Sequence, residues 1–420
     1  ANGYPDKLTD FRGVQTDLDV DSRGLETQRV EALGQPEQRT ITTTWSPTFR
    51  VPLTITQPGR TTTHTLNTRG QIVSTTITDI SGANEAPRVW STVYCDAVNL
   101  SPSDPIGPGE NLAKGCPLIG LVRRIDGPRT DLADVTTYDY RLADDPNGFF
   151  RKGDLWKTTN ALGHVVEIIR YDGAGRILRT KDANGVLTDQ TWHPRGWLAS
   201  RTVRANADGS PSPNDATTSF EYDDAGNLTK LTPPDGVFLA YTYDAAHRLG
   251  RITDAVGDHI DFALDAKGHR LADKTFAAND PNTPTRLLTR SYNVLSRLEK
   301  SFNAQNQFYQ FGYDGNGNRV DQADPLGVKT HWSFDALNRL KSTVGDYLGS
   351  DPDTANATTG YAYDARDNQT GVIDPDGLAT SYGLDGQNNL DTQTSPDTGV
   401  TTATQDAAGN VKTRTDARGV

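Results

Sequence analysis

Apolar and polar residues alternate along much of this chain, in short runs separated by turns of Asp, Asn, Pro and Gly. Val237, Leu239, Tyr241 and Tyr243 alternate with Phe238, Ala240 and Thr242. The same phase recurs in Ile260, Phe262 and Leu264, in Val328, Thr330, Trp332 and Phe334, and in Leu378, Thr380, Tyr382 and Leu384. In the last two sets the intervening residues, such as Lys329, His331, Ser333, Ala379 and Ser381, are polar or small. A period of two with one apolar face predicts half-buried strands, and Thr, Val, Ile and aromatic residues favour them. Tyr222-Asp223-Asp224-Ala225-Gly226 reads as a turn, in which Asp bonds its own backbone and Gly226 supplies a positive φ. A first strand over 227–231, a second turn at Pro233-Pro234-Asp235-Gly236 and a second strand over 237–243 complete a hairpin and its return.

This unit repeats. An aromatic, an Asp, two small residues, Gly, then Asn or Arg and an apolar residue recur from Tyr171, Trp192, Tyr222, Tyr243, Leu264, Tyr292, Tyr313, Phe334, Tyr363, Leu384 and Gln405. The steps are 21, 30, 21, 21, 28, 21, 21, 29, 21 and 21 residues. Eight of these eleven starts are aromatic and nine are followed by Asp, in a chain that is 8% aromatic, so chance is excluded. The fold class is therefore all-β, an array of antiparallel hairpins with about 21 residues each. Residues 138–420 form the regular array. Residues 1–137 are an irregular N-terminal set with a Cys-bracketed loop, continuous with the rest. Three repeats, starting at Trp192, Leu264 and Phe334, are enlarged at the second turn. Their loops, with tips near Ser210, Asn282 and Asp353, should rise from one edge.

Composition narrows the function classes. Of 420 residues, 42 are basic and 54 acidic, a net charge of −12 that gives no attraction to phosphate backbones or anionic lipid. No nucleic-acid partner is expected, and no apolar run approaches the roughly 18 residues of a membrane-spanning helix. Six Trp, fifteen Tyr and twelve Phe argue against disorder. There is no Met, which points to a processed or excised piece, and the expectation is that both neighbours of the array lie outside this sequence.

Tyr222-Asp223-Asp224-Ala225-Gly226-Asn227-Leu228, Tyr243-Asp244-Ala245-Ala246-His247-Arg248-Leu249 and Tyr313-Asp314-Gly315-Asn316-Gly317-Asn318-Arg319 resemble the YD repeats of Rhs (rearrangement hotspot) proteins. Such repeats also occur in insecticidal toxin-complex shell proteins, wall-associated bacterial toxins and teneurins. The resemblance is clear from about Tyr138 to Val420 and weaker from about Val20. It implies a β-sheet strip wound into a hollow β-shell around a C-terminal toxin, released by self-cleavage near an Asp-Pro-x-Gly core signature. Asp324-Pro325-Leu326-Gly327 and Asp374-Pro375-Asp376-Gly377 have that form but stand at ordinary second turns, without the Asn- and Tyr-rich segment that should follow. They read as turns, and the cleavage site and toxin are expected outside the chain.

No motif carries catalysis. Asp314-Gly315-Asn316-Gly317-Asn318 opens like an EF-hand loop, but Arg319 and Pro325 stand where Gly and Glu are required. His64, His164, His193, His247, His259, His269 and His331 form no HExxH or paired-ligand spacing. His259 and His331, on the face opposite the aromatics, are expected at a surface or in a lumen. There is no strand–Gly-x-Ser-x-Gly–helix element and no phosphate loop. Catalytic residues, metal ligands and cofactors are accordingly read as none. Cys95 and Cys116, the only cysteines, bracket a Pro/Gly-rich loop. They are read as a disulfide, the alternative being two free buried thiols. Such a bond would contribute about 3 kcal/mol in the chain-entropy model and imply an oxidising compartment.

The leading functional expectation is a non-catalytic wall segment of an Rhs-type shell, bacterial and secreted or at the cell surface. Its partners would be the missing remainder of the polypeptide, including the enclosed toxin, and a secretion-apparatus or cell-surface component. The alternative is a YD-repeat adhesion or carbohydrate-binding module, which exposed aromatics on loop tips would favour. The long loops carry Asp, Asn, Pro, Ser and Thr with Tyr347 as their one aromatic. A carbohydrate-active enzyme is the third class, and no catalytic pair can be named for it.

Overall fold

In a computed structural model of the chain, residues 4–82, 85–95, 116–349 and 355–420 are described. They contain no helix and 33 strands, from β1 (Lys7–Thr9) to β33 (Val411–Thr415). Consecutive strands pair antiparallel within one sheet, as the alternating pattern requires.

One hairpin shows how the local sequence dictates the geometry. β16 (Ala216–Tyr222) and β17 (Leu228–Thr232) pair in steps of one residue until Glu221↔Lys230, then jump to Tyr222↔Leu228. Thr229 is left over, which makes a β-bulge. Five residues close the turn: the Asp223 N–H donates to the Asn227 carbonyl at 3.0 Å, and Asp223 Oδ1 accepts from the N–H groups of Ala225 and Asn227. Gly226 holds φ at 95°, a conformation that costs other residues a Cβ clash. The same jump occurs at Tyr243↔Leu249, Trp192↔Leu198, Tyr313↔Arg319, Phe334↔Leu340 and Gln405↔Val411. It also occurs in the ragged N-terminal part, at Val20↔Glu26 and Leu66↔Ile72. The hairpin unit thus extends further along the chain than its regular sequence rhythm.

The bulge explains the aromatic position. Leu228 lies past the end of the ladder between β17 and β18 (Leu239–Tyr243), which stops at Lys230↔Ala240. Its carbonyl instead accepts from the hydroxyl of Tyr243, 2.8 Å away in the next repeat. Tyr171, Tyr222 and Tyr292 reach Leu155, Leu198 and Arg270 carbonyls in the same way, at 2.7, 3.0 and 3.2 Å. Trp45 and Trp192 do so with their indole N–H at 2.8 Å each, to Glu26 and Ile177. Gln405, an apparent exception in sequence, donates its amide to the Leu390 carbonyl at 2.7 Å. A rigid arm ending in a donor is what the position needs, because a buried carbonyl without a partner costs about 1–3 kcal/mol.

The chain forms two compact units. One comprises Ala1–Thr92, Asp126–Asp134 and Tyr309–Val420, the other Val93–Ile125 and Val135–Phe308. In the second unit the long loops 206–215 and 277–285 join β15 (Leu198–Val203) to β16 and β21 (Arg270–Phe276) to β22 (Arg286–Tyr292). Both connect an odd strand to an even one, so both rise from the same edge of that unit. Arg204 fastens the first, bridging Asp189 and Asp215 at 2.6 and 2.7 Å. The second leans on the neighbouring turn, with the Ala278 N–H donating to Asp258 at 2.8 Å. The tip expected at Asp353 lies outside the described residues.

Candidate functional site

The first unit brings together segments some 300 residues apart. Its early rows are β1 to β8 (Arg88–Tyr94), with the 127–134 turn; its late rows run from β24 (Phe308–Tyr313) to β33. Turns that join odd to even strands lie on one edge of a row, and the YD turns, joining even to odd, on the other. In the early rows the odd-to-even edge faces the YD edge of the late rows, and five successive YD turns, at Asp314, Asp335, Asp364, Asp385 and Asp406, line this seam.

Each early turn sends groups across. Asn316 Nδ2 donates to Asp10 Oδ2 at 2.6 Å, and Arg12 donates to the Asp335 carbonyl at 2.8 Å. Arg39 donates to the Ala365 carbonyl at 3.1 Å and to Asp367 Oδ2 at 2.7 Å. Further along, the Gly386 N–H donates to Asp79 Oδ2 at 3.1 Å, Gln387 Nε2 to the Ala86 carbonyl at 2.7 Å, and Arg88 to Asn389 Oδ1 at 2.6 Å. Arg129 meets Asp406 at 3.3 Å. The exchange runs both ways: Arg12, Arg39, Arg88 and Arg129 of the early rows meet late-row acceptors, while Asp10, Asp79 and the Ala86 carbonyl accept from the late rows.

Burial marks the seam as well. Among the described residues few side chains are buried, and four of the seven polar ones sit here: Asp335, Asp385, Gln387 and Asn389, with Asp385 only 1% exposed. Each has its partners. Asp385 Oδ1 accepts from the N–H groups of Gln387 and Asn389 at 2.8 Å each. Asp335 accepts from Arg339 Nε at 2.7 Å and from the N–H groups of Leu337 and Arg339. Adjacent YD turns are tied together at the turn position that in most other repeats is glycine. There Asn338, Asp367 and Asn388 hold positive φ values of 61°, 70° and 67°. Asn338 Oδ1 accepts from Asn316 and Asn318, Asn388 Oδ1 from Arg366 and Asn368, and Asp367 from Arg39 and Arg339. The strain of a side chain in this region is offset by bonds that glycine could not make.

The seam shifts its acids in both directions. Burial alone would raise Asp10, but the hydrogen bonds from Asn316 and the Val14 and Arg12 N–H groups outweigh it and hold the carboxyl below its usual value. Asp79 is lowered likewise: burial opposes, while Ser81, the Gly386 N–H and the Arg366 charge prevail. Asp391 is pushed up, by burial first and then by the charges of Asp385, Glu85 and Asp79.

The other sequence candidates fall elsewhere. Asp314 to Asn318 is a YD turn closed at 3.0 Å, with both Asp314 carboxylate oxygens accepting from Asn318. Asp324 and Asp374 each close an ordinary second turn. Expected at a surface or lumen, His259 is instead buried, because its ring stacks on Phe276 across the strand pair, centroids 4.8 Å apart. His331 is half-buried, stacked on Tyr347 at 4.7 Å and bonded to Asp321. The Cα atoms of Cys95 and Cys116 are 5.3 Å apart, with the sulfurs in bonding range. Among the described residues no three His, Cys, Asp or Glu are grouped to hold a metal, and no helix is long and apolar enough to cross a membrane. A cleft of about 330 Å³ on the seam, lined in part by Glu37, Asp335, Arg339 and Tyr363, places its buried carboxylate against Arg339. Sequence spacing gave no signal for the seam, since no local pattern links residues 79 and 386.

A single sheet of bulged antiparallel hairpins, many of them locked by the polar tip of the next, defines a class of all-β repeat protein. Within it, the chain carries RHS repeats: the RHS Repeat family model matches residues 212–237, 222–259, 313–347 and 363–402. The fold is that of the solved structure of TcdB2-TccC3, at 12% identity and a TM-score of 0.59 over 95% of this chain and 23% of that one. TcdB2-TccC3 without its hypervariable C-terminal region aligns equally well, TM-score 0.59 and 12% identity over 95% and 22%. TcdB2-TccC3-TEV gives 0.54 and 12% over 96% and 25%. The chain spans about a quarter of the length of these structures. No curated protein sequence matches it.

Proposed function

We propose that this chain is a non-catalytic wall segment of an Rhs-type shell, whose larger polypeptide encloses and delivers a toxin domain lying outside the chain. The observation that carries the reading is the seam. Hydrogen-bonded ladders close the sheet along the row of strands, and the seam closes it across the row edges, so the same surface is sealed in two directions. A binding module would need only the first. Most polar groups of the seam are spent on one another, which suits a barrier. A secreted or cell-surface location in bacteria, an oxidising one, and a Cys95–Cys116 disulfide belong to the same proposal. The repeats and the shared fold support it.

The test is protease protection of the natural polypeptide that contains this chain together with its C-terminal remainder. The remainder should resist digestion while the wall is intact and become sensitive when the seam is opened by Gly386→Ala. Digestion of the remainder at the rate of the isolated segment, in the unmodified polypeptide, would refute enclosure.

A further inference from the structure

The cleft on the seam is lined by groups that the seam leaves unspent. Its volume, about 330 Å³, is at the small end of ligand pockets, which span about 300–1,000 Å³. One wall is the early turn with Glu37 and Gln38; late-row residues, Arg339, Lys341, Tyr361 and Tyr363 among them, form the other. Arg339 is committed, to Asp335 at 2.7 Å and to the Asp364 carbonyl at 2.7 Å. Glu37 and Lys341 are not: among the described residues neither side chain makes an ion pair or a hydrogen bond. Lys341 is the bulge residue of its hairpin, left over between Phe334↔Leu340 and Ser333↔Ser342. Bulges re-aim side chains, and here the re-aimed residue lines the cleft.

The tyrosines depart from the repeat pattern as well. Tyr361 and Tyr363 share one face of β28 (Ala357–Tyr363), about 7 Å apart along the strand. Tyr363 stands where Tyr171, Tyr222 and Tyr243 lock the preceding repeat, but among the described residues its hydroxyl makes no hydrogen bond. Its ring lies under Arg339 instead, the centroid 4.9 Å from the guanidinium carbon. The cleft thus combines a carboxylate from one row, an ammonium from the other, and two phenol rings.

We infer that this cleft binds a zwitterionic small molecule, an α-amino acid with an apolar or aromatic side chain. Lys341 takes the carboxylate, Glu37 the ammonium, and the tyrosine rings the side chain. Both ligand charges are needed, because a ligand carrying one of them desolvates the other protein charge without pairing it. Since the two walls belong to different rows, an occupied cleft also braces the seam. The inference stands on the cleft alone, whatever the shell encloses.

Ligand-observed NMR titration of the whole chain with L-phenylalanine tests it. The expected Kd is about a millimolar, the strength that about twelve non-hydrogen atoms ordinarily supply. Phenethylamine, which lacks the carboxylate, and 3-phenylpropionate, which lacks the ammonium, should each bind more than about tenfold more weakly. Lys341→Gln should bind phenylalanine no better than the native chain binds phenethylamine, and Glu37→Gln no better than it binds 3-phenylpropionate. Circular dichroism verifies that the sheet persists in both variants. Amide exchange of the turns at 34–39 and 364–368 should slow with phenylalanine in the native chain and stay unchanged in the variants. Absence of saturable phenylalanine binding would overturn the inference. So would analogues that bind as phenylalanine does, or variants that bind as the native chain does. Saturable binding of the neutral disaccharide maltose, with none of phenylalanine, would assign the rings to a glycan and counts against this ligand class.

Discussion

Gly386→Ala isolates the seam from every other feature of the fold. Gly386 is not in the left-handed region, so alanine meets no backbone strain at this site. The added methyl would instead collide with the Asp79 carboxylate and the Gly59 carbonyl, both from the early rows. To reach ordinary contact, the rows must part by more than about an ångström, which also breaks the 3.1 Å bond from the Gly386 N–H to Asp79. Overpacking of this kind costs about 1–3 kcal/mol, and a hydrogen bond to a charged group contributes about 1.5–3. Together the seam should open more easily by about 3 kcal/mol, or about a hundredfold in the opening equilibrium. Amide exchange of the turns at 79–88 and 385–391 reads this directly, since local opening sets their protection. Gly173→Ala is the matched control: it holds the same place in the Tyr171 repeat, and a methyl there meets nothing within 4 Å. Its effect should stay within about 1 kcal/mol and be stabilising in sign. Equal protection changes in the two variants, or a loss spread over the whole chain, would refute the reasoning.

Tyr243→Phe removes the donor to the Leu228 carbonyl and should lower thermal stability by about 1–3 kcal/mol, whereas Gln405→Tyr, which restores a donor of the commoner kind, should be near neutral; calorimetry distinguishes them. Cys95 and Cys116 should resist thiol labelling in the unreduced native protein, and replacing both by Ser should cost about 3 kcal/mol in urea denaturation. For pH, the lowered Asp10 and Asp79 stabilise the seam fully above the ordinary carboxylate value of 3.8, and that contribution is lost as pH falls through their folded values. Asp391 has the opposite sign: its raised pKa makes the folded state less stable as pH rises through it. Asp391→Asn should therefore increase exchange protection of the 385–391 turn at pH 7 and change nothing below pH 3, whereas equal protection at pH 7 would show that the charge is harmless there.

The hairpins were legible because everything that makes them is local. Alternation gives the strands, the Asp that folds back on its own N–H groups gives the turn, and Gly226 or its equivalents close it within five residues. Predicted and observed strands agree to within a residue or two, as with 227–231 against Leu228–Thr232. What stayed hidden depends on partners far along the chain. Nothing in the sequence separates Gly386, pressed against Asp79, from Gly173, which faces open space in the same turn position. His259 was misplaced because strand alternation assigns a face but not its neighbour, and Phe276 covers that face. Gln405 read as a defect in an aromatic pattern, when the pattern concerned the donor at the end of the side chain.

These cases share a physical cause, and it explains which repeat positions vary. The first aromatic and the following Asp act inside the strip: one satisfies the bulge carbonyl of the preceding repeat and the other its own turn. Most hairpins meet those demands with similar residues, although Leu264, Phe334 and Leu384 carry no donor at the first position. The positions two, four and five after the aromatic point along or across the row edge, where surroundings differ from turn to turn. Where an early row presses close, as at Gly315 and Gly386, the second position is glycine. Where the turn must hold its neighbour, the fourth becomes Asn338, Asp367 or Asn388 in spite of a positive φ. At the fifth position, Arg248 and Arg339 reach the next turn's carbonyl at 2.6 and 2.7 Å, while Asn318 and Asn368 meet the next turn's side chain at 2.8 and 2.7 Å. Departures from the repeat consensus are therefore the record of contacts between rows and between neighbouring turns of one row.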